Sequence, residues 1–227
     1  MADLIVTIDG PAASGKSTAA RLLARRLGAC YLDTGAMYRA VTLAAMRAGV
    51  DLNDERKLLD ITWTCKFEFS VKAGTTTVRL DGSDVTEQIR SPEVTANARY
   101  IAAAPKVRER LVQMQRQFAA DRHKIVTEGR DQGTVAFGDA DIKFYLIADS
   151  AERARRRLAE QQDKGGAGSL QEIQKAIEER DKSDESRAVG PLKPAEDAII
   201  VDTTNLSIEQ VVEKLACHVK EKCSKKT

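Results

Sequence analysis

The sequence predicts an α/β fold: a parallel sheet of about five strands flanked by helices, with a small antiparallel β insert and a helical lid. Three observations carry that expectation. Short apolar, β-branched runs alternate with stretches of helical period; a glycine-rich turn joins the first such pair; and one central segment breaks the rhythm with strict alternation and two hairpin signals.

The elements follow in order. Leu4 to Asp9 is a short apolar run that suits a buried parallel strand. After the glycine-rich turn, Ser17 to Leu27 places Ala19, Leu22, Leu23 and Leu27 at helical spacing, and Ala29 to Leu32 reads as a second strand. Thr34 to Ala48 reads as a helix with Met37, Val41, Ala44 and Ala48 on one face, stopped by Gly49. The alternation of Lys66 to Val71 and of Thr75 to Leu80, with turn signals at Ala73-Gly74 and Asp81-Gly82, predicts an antiparallel insert. Ser91-Pro92 supplies an N-cap and a first-turn proline, and the sequence stays mostly helical to about Asp121. Strands are then expected at Lys124 to Thr127, Lys143 to Ala148 and Ala198 to Val201. Helices at Ala151 to Gln162 and Ser169 to Ser186 are separated by Gly165-Gly166-Ala167-Gly168. Ser169-x-x-Glu172 and Ser207-x-x-Gln210 read as capping boxes. The resulting division is a core of 1–62 and 92–227, a lid at about 152–168 within it, and an insert of 63–91.

Composition narrows the function. A chain of 227 residues with 42% hydrophobic and 31% charged residues is ordinary globular protein, which excludes disordered and fibrous classes. Met1-Ala2-Asp3-Leu4-Ile5-Val6 has no basic segment followed by a long apolar run, so no secretory signal is expected, and no stretch approaches a bilayer span. Cys30, Cys65, Cys217 and Cys223 are scattered, which predicts free thiols in a reducing cytoplasm; neither His123 nor His218 adds a zinc cluster. A net charge of +2 argues against nucleic-acid or membrane partners. The basic tail Lys220 to Lys226 reads as a solvated helix end, and a monomer is the default expectation.

The chemistry enters at Gly10-Pro11-Ala12-Ala13-Ser14-Gly15-Lys16-Ser17, a full match to G-x-x-x-x-G-K-[ST] placed after a strand and before a helix, with Thr18 next. This is the P-loop: backbone N–H groups and the helix N-terminus cradle phosphate, Lys16 reaches the β- and γ-phosphates, and the Ser17 hydroxyl binds Mg²⁺. The cradle is shared by GTPases, motor ATPases and kinases, so it does not name the reaction. A GTPase switch would carry N-K-x-D, which is absent.

Two more segments fall where strands end: Asp33-Thr34-Gly35-Ala36-Met37-Tyr38-Arg39 and Glu128-Gly129-Arg130-Asp131-Gln132-Gly133-Thr134. A third, Arg180 to Arg187, sets Arg180, Asp184 and Arg187 on one helix face, an arrangement that by itself reads more readily as an exposed salt-bridge ladder. With GPAASGKST, DVTEQIR (Asp84 to Arg90), ERARRR (Glu152 to Arg157) and RDKSDESRAVGPL, these segments closely resemble bacterial cytidylate kinases of type 1, in order and over essentially the whole chain.

That resemblance implies phosphoryl transfer from ATP to CMP or dCMP, small-molecule partners, and an insert that belongs to the monophosphate-binding region. It implies that Thr34, Arg39 and Arg130 hold the acceptor phosphate and that Arg108 and Asp131 bind cytosine. It also places Arg180, Asp184 and Arg187 on the sugar side. A carboxylate suits cytosine because the N4 amino group donates where uracil accepts. The acceptor phosphate is itself ionised, its second pKa being about 6, so no general base is needed. Lys16 and Arg130 are expected to be catalytic, together with Arg153 and Arg157. The latter two stand four apart on one helix face and are expected to belong to a mobile lid that closes over ATP, whereas Arg155 and Arg156 individually read as solvated. Asp33 is a candidate to reach Mg²⁺ through water. Arg99 (often serine in the family), Gly138 (usually proline) and Gln132 (commonly methionine) depart from the pattern. The nearest rival is another small-acceptor kinase of this fold, such as a UMP/CMP or shikimate kinase.

Overall fold

The computed structural model describes residues 2–72, 75–163, 165 and 167–224. Its elements run β1 (Leu4–Asp9), α1 (Lys16–Leu27), β2 (Cys30–Asp33), α2 (Thr34–Arg47), α3 (Glu55–Thr64), β3 (Phe67–Lys72), β4 (Thr75–Leu80) and β5 (Ser83–Asp84). There follow α4 (Pro92–Ala103), α5 (Pro105–Ala120), β6 (Lys124–Glu128), β7 (Ile142–Ile147), α6 (Ser150–Gln162), α7 (Leu170–Glu185), β8 (Ile199–Asp202) and α8 (Ile208–Ser224). Five strands form one parallel sheet in the order β2-β6-β1-β7-β8, and β3, β4 and β5 form a separate antiparallel sheet. The order places β1 at the centre, where both faces are covered, and its residues from Val6 onward are buried without interruption.

Each face of the large sheet has its own core. One cluster joins Leu32, Ile125, Met37, Val41, Leu58, Ile101 and Leu111, and it also takes in Val78, Leu80, Val85 and Ile89 from the insert and the turn that follows. The small sheet is thereby held by its own apolar face rather than by a tether. The other cluster packs Val6, Ile8, Phe144 and Leu146 against Leu23 of α1 and Val211 and Leu215 of α8. A third, smaller group sets Ala12 of the glycine-rich loop against Ala154 of α6 and Ile173 and Ile177 of α7. Among the described residues no helix is long and apolar enough to cross a membrane.

Both capping boxes form. The Ser169 hydroxyl accepts from Glu172 N at 3.2 Å while Glu172 accepts from Ser169 N at 3.1 Å, and Ser207 and Gln210 reciprocate in the same way. Two features depart from the sequence reading. The helical stretch after Pro92 is two helices, because Pro105 forces Ala104 into an extended conformation (φ −86°, ψ 106°) and α5 restarts on the proline. Helix α3 has no counterpart in that reading; its N-cap, Asp54, accepts from Lys57 N at 3.1 Å, but few of its residues are buried and its periodic signal is correspondingly short. The Ala73-Gly74 turn, Gly166 and Lys225-Lys226 lie outside the described residues. None of the four cysteines forms a disulfide.

Between α5, β6 and the π-helical turn Gln132–Ala136 runs a buried polar chain. The Thr127 hydroxyl donates to Gln132 Oε1 at 2.9 Å, Gln132 Nε2 donates to Gln115 Oε1 at 3.3 Å, and Gln115 Nε2 has no partner. A partly satisfied chain of this kind costs most when only one member is removed. Gln132→Met is therefore expected to destabilise by about 1–3 kcal/mol, and adding Gln115→Leu to recover much of that loss; urea unfolding of the two variants measures both.

Candidate functional site

In a parallel sheet all carboxyl ends share one edge, so the loops leaving β1, β2 and β6 meet there. The loop after β1 is pressed against the sheet. Gly10 has φ +146°, and a Cβ at that position would sit on the carbonyl oxygen of Leu146 in β7, so only glycine lets the loop turn this closely. Lys16 folds back over the loop, its Nζ donating to Pro11 O at 2.6 Å. It is 5% exposed, and burial first, then the nearby positive charge of Arg130, pushes its pKa down to about 7 against the pull of Glu128. The Ser17 hydroxyl donates to Glu128 Oε1 at 2.9 Å, and the Tyr31 hydroxyl reaches the same oxygen at 3.4 Å. Thr18 is exposed on α1.

The second wall comes from β2 and β6. Asp33 caps α2 by accepting from Ala36 N at 2.8 Å, and its other oxygen lies 3.4 Å from Arg39. Thr34 is buried and donates to Glu128 O at 2.7 Å, tying the two strand ends together. Arg130 donates to Asp184 Oδ2 at 2.8 Å and to Gly129 O at 3.2 Å. Asp184 also pairs with Arg187, which lies beyond the last turn of α7. Burial would raise the Asp184 pKa, but Arg130 and Arg187 overrule it and hold the carboxyl below its usual range. Among the described residues Arg180 has no such partner within ion-pair distance; desolvation and then Arg130 lower its pKa to about 10. Arg108 and Asp131 form a buried pair beneath this group, with Arg108 over the Tyr38 ring at 5.7 Å and donating to Ala102 O at 3.3 Å. Burial raises the Asp131 pKa despite Arg108. Arg39 and Arg108 each keep a buried Nε without a partner.

The arginine run of α6 divides differently from its sequence reading. Arg153 is buried: it pairs with Asp181, and it donates to Ala12 O at 3.1 Å and Ala148 O at 3.0 Å, while Asp181 accepts from Ala12 N at 2.9 Å. Both polar groups of the loop residue Ala12 are thus held from α6 and α7. Arg156 is not a solvated side chain. Its guanidinium donates to Thr203 O at 2.6 Å and Thr203 Oγ1 at 3.1 Å, because Thr203 follows β8 directly and turns toward the loop, where its hydroxyl also donates to Ser14 O at 3.3 Å. Arg155 is exposed, as its sequence position implied, and Arg157 is half-exposed, 3.1 Å from Glu160. Arg99 points to solvent over the Tyr100 ring.

The edge therefore gathers Lys16, Arg39, Arg130, Arg180 and Arg187 from distant parts of the chain, with Asp33, Glu128 and Asp184 among them. Residues 6–221 match the family model described as cytidylate kinase. The chain belongs to the cytidylate kinase family. A cytidylate kinase of Limosilactobacillus reuteri (strain DSM 20016) is 48% identical over 219 residues, covering 96% of each chain, and one of Rhodococcus opacus (strain B4) is 45% identical over 219 residues, again 96% of each. The solved structure of an uncharacterized protein from Eubacterium ventriosum ATCC 27560 shares the fold at a TM-score of 0.52, with 12% identity over 96% of this chain and 99% of that one.

Within this family member, four contributors escaped the sequence reading: Asp9, Glu128, Asp181 and Thr203. Glu128 stands at the end of a strand beside the phosphate loop, which was a usable signal. Asp181 and Thr203 act on the loop backbone, and no residue pattern announces that. Removing Asp181 leaves Arg153 buried and unpaired, so Asp181→Ala is expected to destabilise by about 3–5 kcal/mol in denaturant unfolding.

Proposed function

We propose that this chain is a cytidylate kinase that moves the γ-phosphoryl group of ATP to CMP or dCMP, giving ADP and CDP or dCDP. The observation that carries the reading is the placement of Lys16 and Arg130 on loops from neighbouring strands, with Arg130 close enough to depress the Lys16 pKa and Arg180 and Arg187 close enough to Arg130 to feel its charge. Side chains that repel each other in a desolvated cleft suit a ligand carrying several negative charges.

On this reading the phosphate loop holds the donor, with Gly10 to Ser17 and Thr18 around its phosphates and Lys16 on the β- and γ-oxygens. Thr34, Arg39 and Arg130 hold the acceptor phosphate, and the unpartnered Nε of Arg39 is a donor still to be used. Arg108 and Asp131, already paired, present one acceptor and one donor face to cytosine. Arg180, Asp184 and Arg187 lie on the sugar side. Arg153 supports the donor loop through Ala12, and Arg157 is the arm of α6 free to move onto the transferring group. The acceptor oxygen is already anionic, so the residues' work is to bring two anions into line and offset their charge.

The Ser17 hydroxyl and the Glu128 carboxylate meet as hard oxygen donors and would hold Mg²⁺, with Asp33 reaching it through a water. When bound, the ion supplies charge neutralisation between the β- and γ-phosphates. Residues 63–91 serve as the monophosphate-side insert and about 152–168 as the lid. The enzyme works as a cytoplasmic monomer on small molecules, without nucleic acid or membrane.

A coupled assay of ADP release with CMP, dCMP, UMP, AMP and shikimate decides the reading. CMP or dCMP is expected to exceed the others in kcat/KM by about tenfold or more; equal turnover of UMP or shikimate overturns it. Lys16→Ala is expected to lower kcat by about 10²–10³-fold with the fold intact by circular dichroism, and full turnover in that variant refutes the assigned phosphate chemistry.

A further inference from the structure

Asp9, the last residue of β1, is 4% exposed and makes no ion pair among the described residues. Its two carboxylate oxygens are both used: Oδ1 accepts from Gln132 N at 2.9 Å and Oδ2 from Gly133 N at 2.7 Å. One residue earlier, Ile8 O accepts from Gly129 N at 3.1 Å. The segment 129–133 is therefore pinned at three points to the strand whose next residue, Gly10, opens the phosphate loop. Arg130 and Asp131 lie between those pins. Their side chains leave the segment toward Asp184 and Arg108, while their backbone is fixed from the opposite side. Gly133 lets the turn lie flush on β1, since a Cβ there would stand 2.9 Å from Thr7 Oγ1.

We propose that Asp9 is a positioning residue that sets the acceptor-binding pair Arg130 and Asp131 in register with the phosphate loop. This rests on the function proposed above and deepens it. A single carboxylate that grips the acceptor segment from the strand feeding the donor loop fixes the spacing between the two phosphate sites, the quantity on which in-line transfer depends. The energetics agree with a functional origin. Burial pushes the Asp9 pKa up to about 7, against the two backbone N–H donors that lower it; Asp131 nearby raises it and Lys16 lowers it. A pKa raised in the folded state means that ionising Asp9 opposes folding as the pH climbs from about 4 through about 7. The charged carboxylate thus works against stability at neutral pH while meeting both backbone donors.

Asp9→Asn tests the assignment. Asparagine can accept one of the two N–H groups, but its amide then faces the other donor-to-donor and displaces the turn. The expected result is a rise of about tenfold or more in KM for CMP, with KM for ATP changed by less than about twofold. Thermal unfolding of the variant at pH 8 is expected to be no easier than that of wild type. Equal rises in both KM values, or no change in either, overturn the proposal. Should Asp9→Asn fail to fold, Gly133→Ala moves the same turn by steric contact with Thr7 and must give the same acceptor-selective signature; without that signature the proposal fails. Wild-type turnover of CMP in the same assay separates failure of this inference from failure of the functional reading.

Discussion

The organising constraint of this molecule is the burial of several cations at one edge of the sheet. Lys16, Arg39, Arg130, Arg180 and Arg187 converge there; desolvation, and after it the charge of Arg130, depresses the pKa values of Lys16 and Arg180, whereas at Arg130 the Asp184 carboxylate outweighs desolvation. Folding alone would not favour such a cluster, because each buried charge gives up hydration that its neighbours cannot restore. Carboxylates make it tolerable. Asp184 divides itself between Arg130 and Arg187, Asp33 lies 3.4 Å from Arg39, and Glu128 raises the Lys16 pKa while it accepts from Ser17.

The fold delivers this arrangement through topology. Strand order β2-β6-β1-β7-β8 puts the ends of β1, β2 and β6 next to one another although they lie far apart in sequence. Two different kinds of attachment then fix the loops. On one side, Thr34 and Ile8 bind the β6 segment to neighbouring strand ends by hydrogen bonds to and from the backbone. On the other, helices α6 and α7 hold Ala12 by both its N–H and its carbonyl. The proposed lid is therefore not a free flap. Its buried end is part of the phosphate loop's support, and only residues farther along α6, such as Arg157, retain exposure.

This division also explains what the sequence could and could not disclose. Strand and helix positions were legible because burial imposes periodicity: Leu4 to Asp9, Met37 to Ala48 and both capping boxes announce themselves by residue type and spacing. The phosphate loop was legible because its glycines and lysine are demanded by backbone approach and charge. Helix α3 was not, since few of its side chains are buried, and the break at Pro105 was masked by helical sequence on both sides. At the site, the charged residues of the strand-end and helix segments stood out, Arg130 and Arg187 among them. Those that act on backbone did not. Asp181 reads as one of many acidic residues on an amphipathic helix until its bond to Ala12 N is seen, and Arg156 reads as solvated until Thr203 is placed beside it.

Gln132 shows how far such support extends. It lies directly after Arg130 and Asp131, where the family commonly has methionine, and a methionine would need no polar partner. Here the amide is used on both sides, accepting from Thr127 and donating to Gln115, so the core beneath the acceptor loop is polar and incompletely satisfied. An apolar pair would fill the same space without leaving Gln115 Nε2 unbonded. The glutamine chain instead adds directional bonds between β6, the turn and α5, and directional bonds resist displacement in a way that dispersion contacts do not. The loop that carries Arg130 and Asp131 is thus fixed from below by side-chain amides and from the side by a carboxylate, while its two charged side chains are held by Asp184 and Arg108.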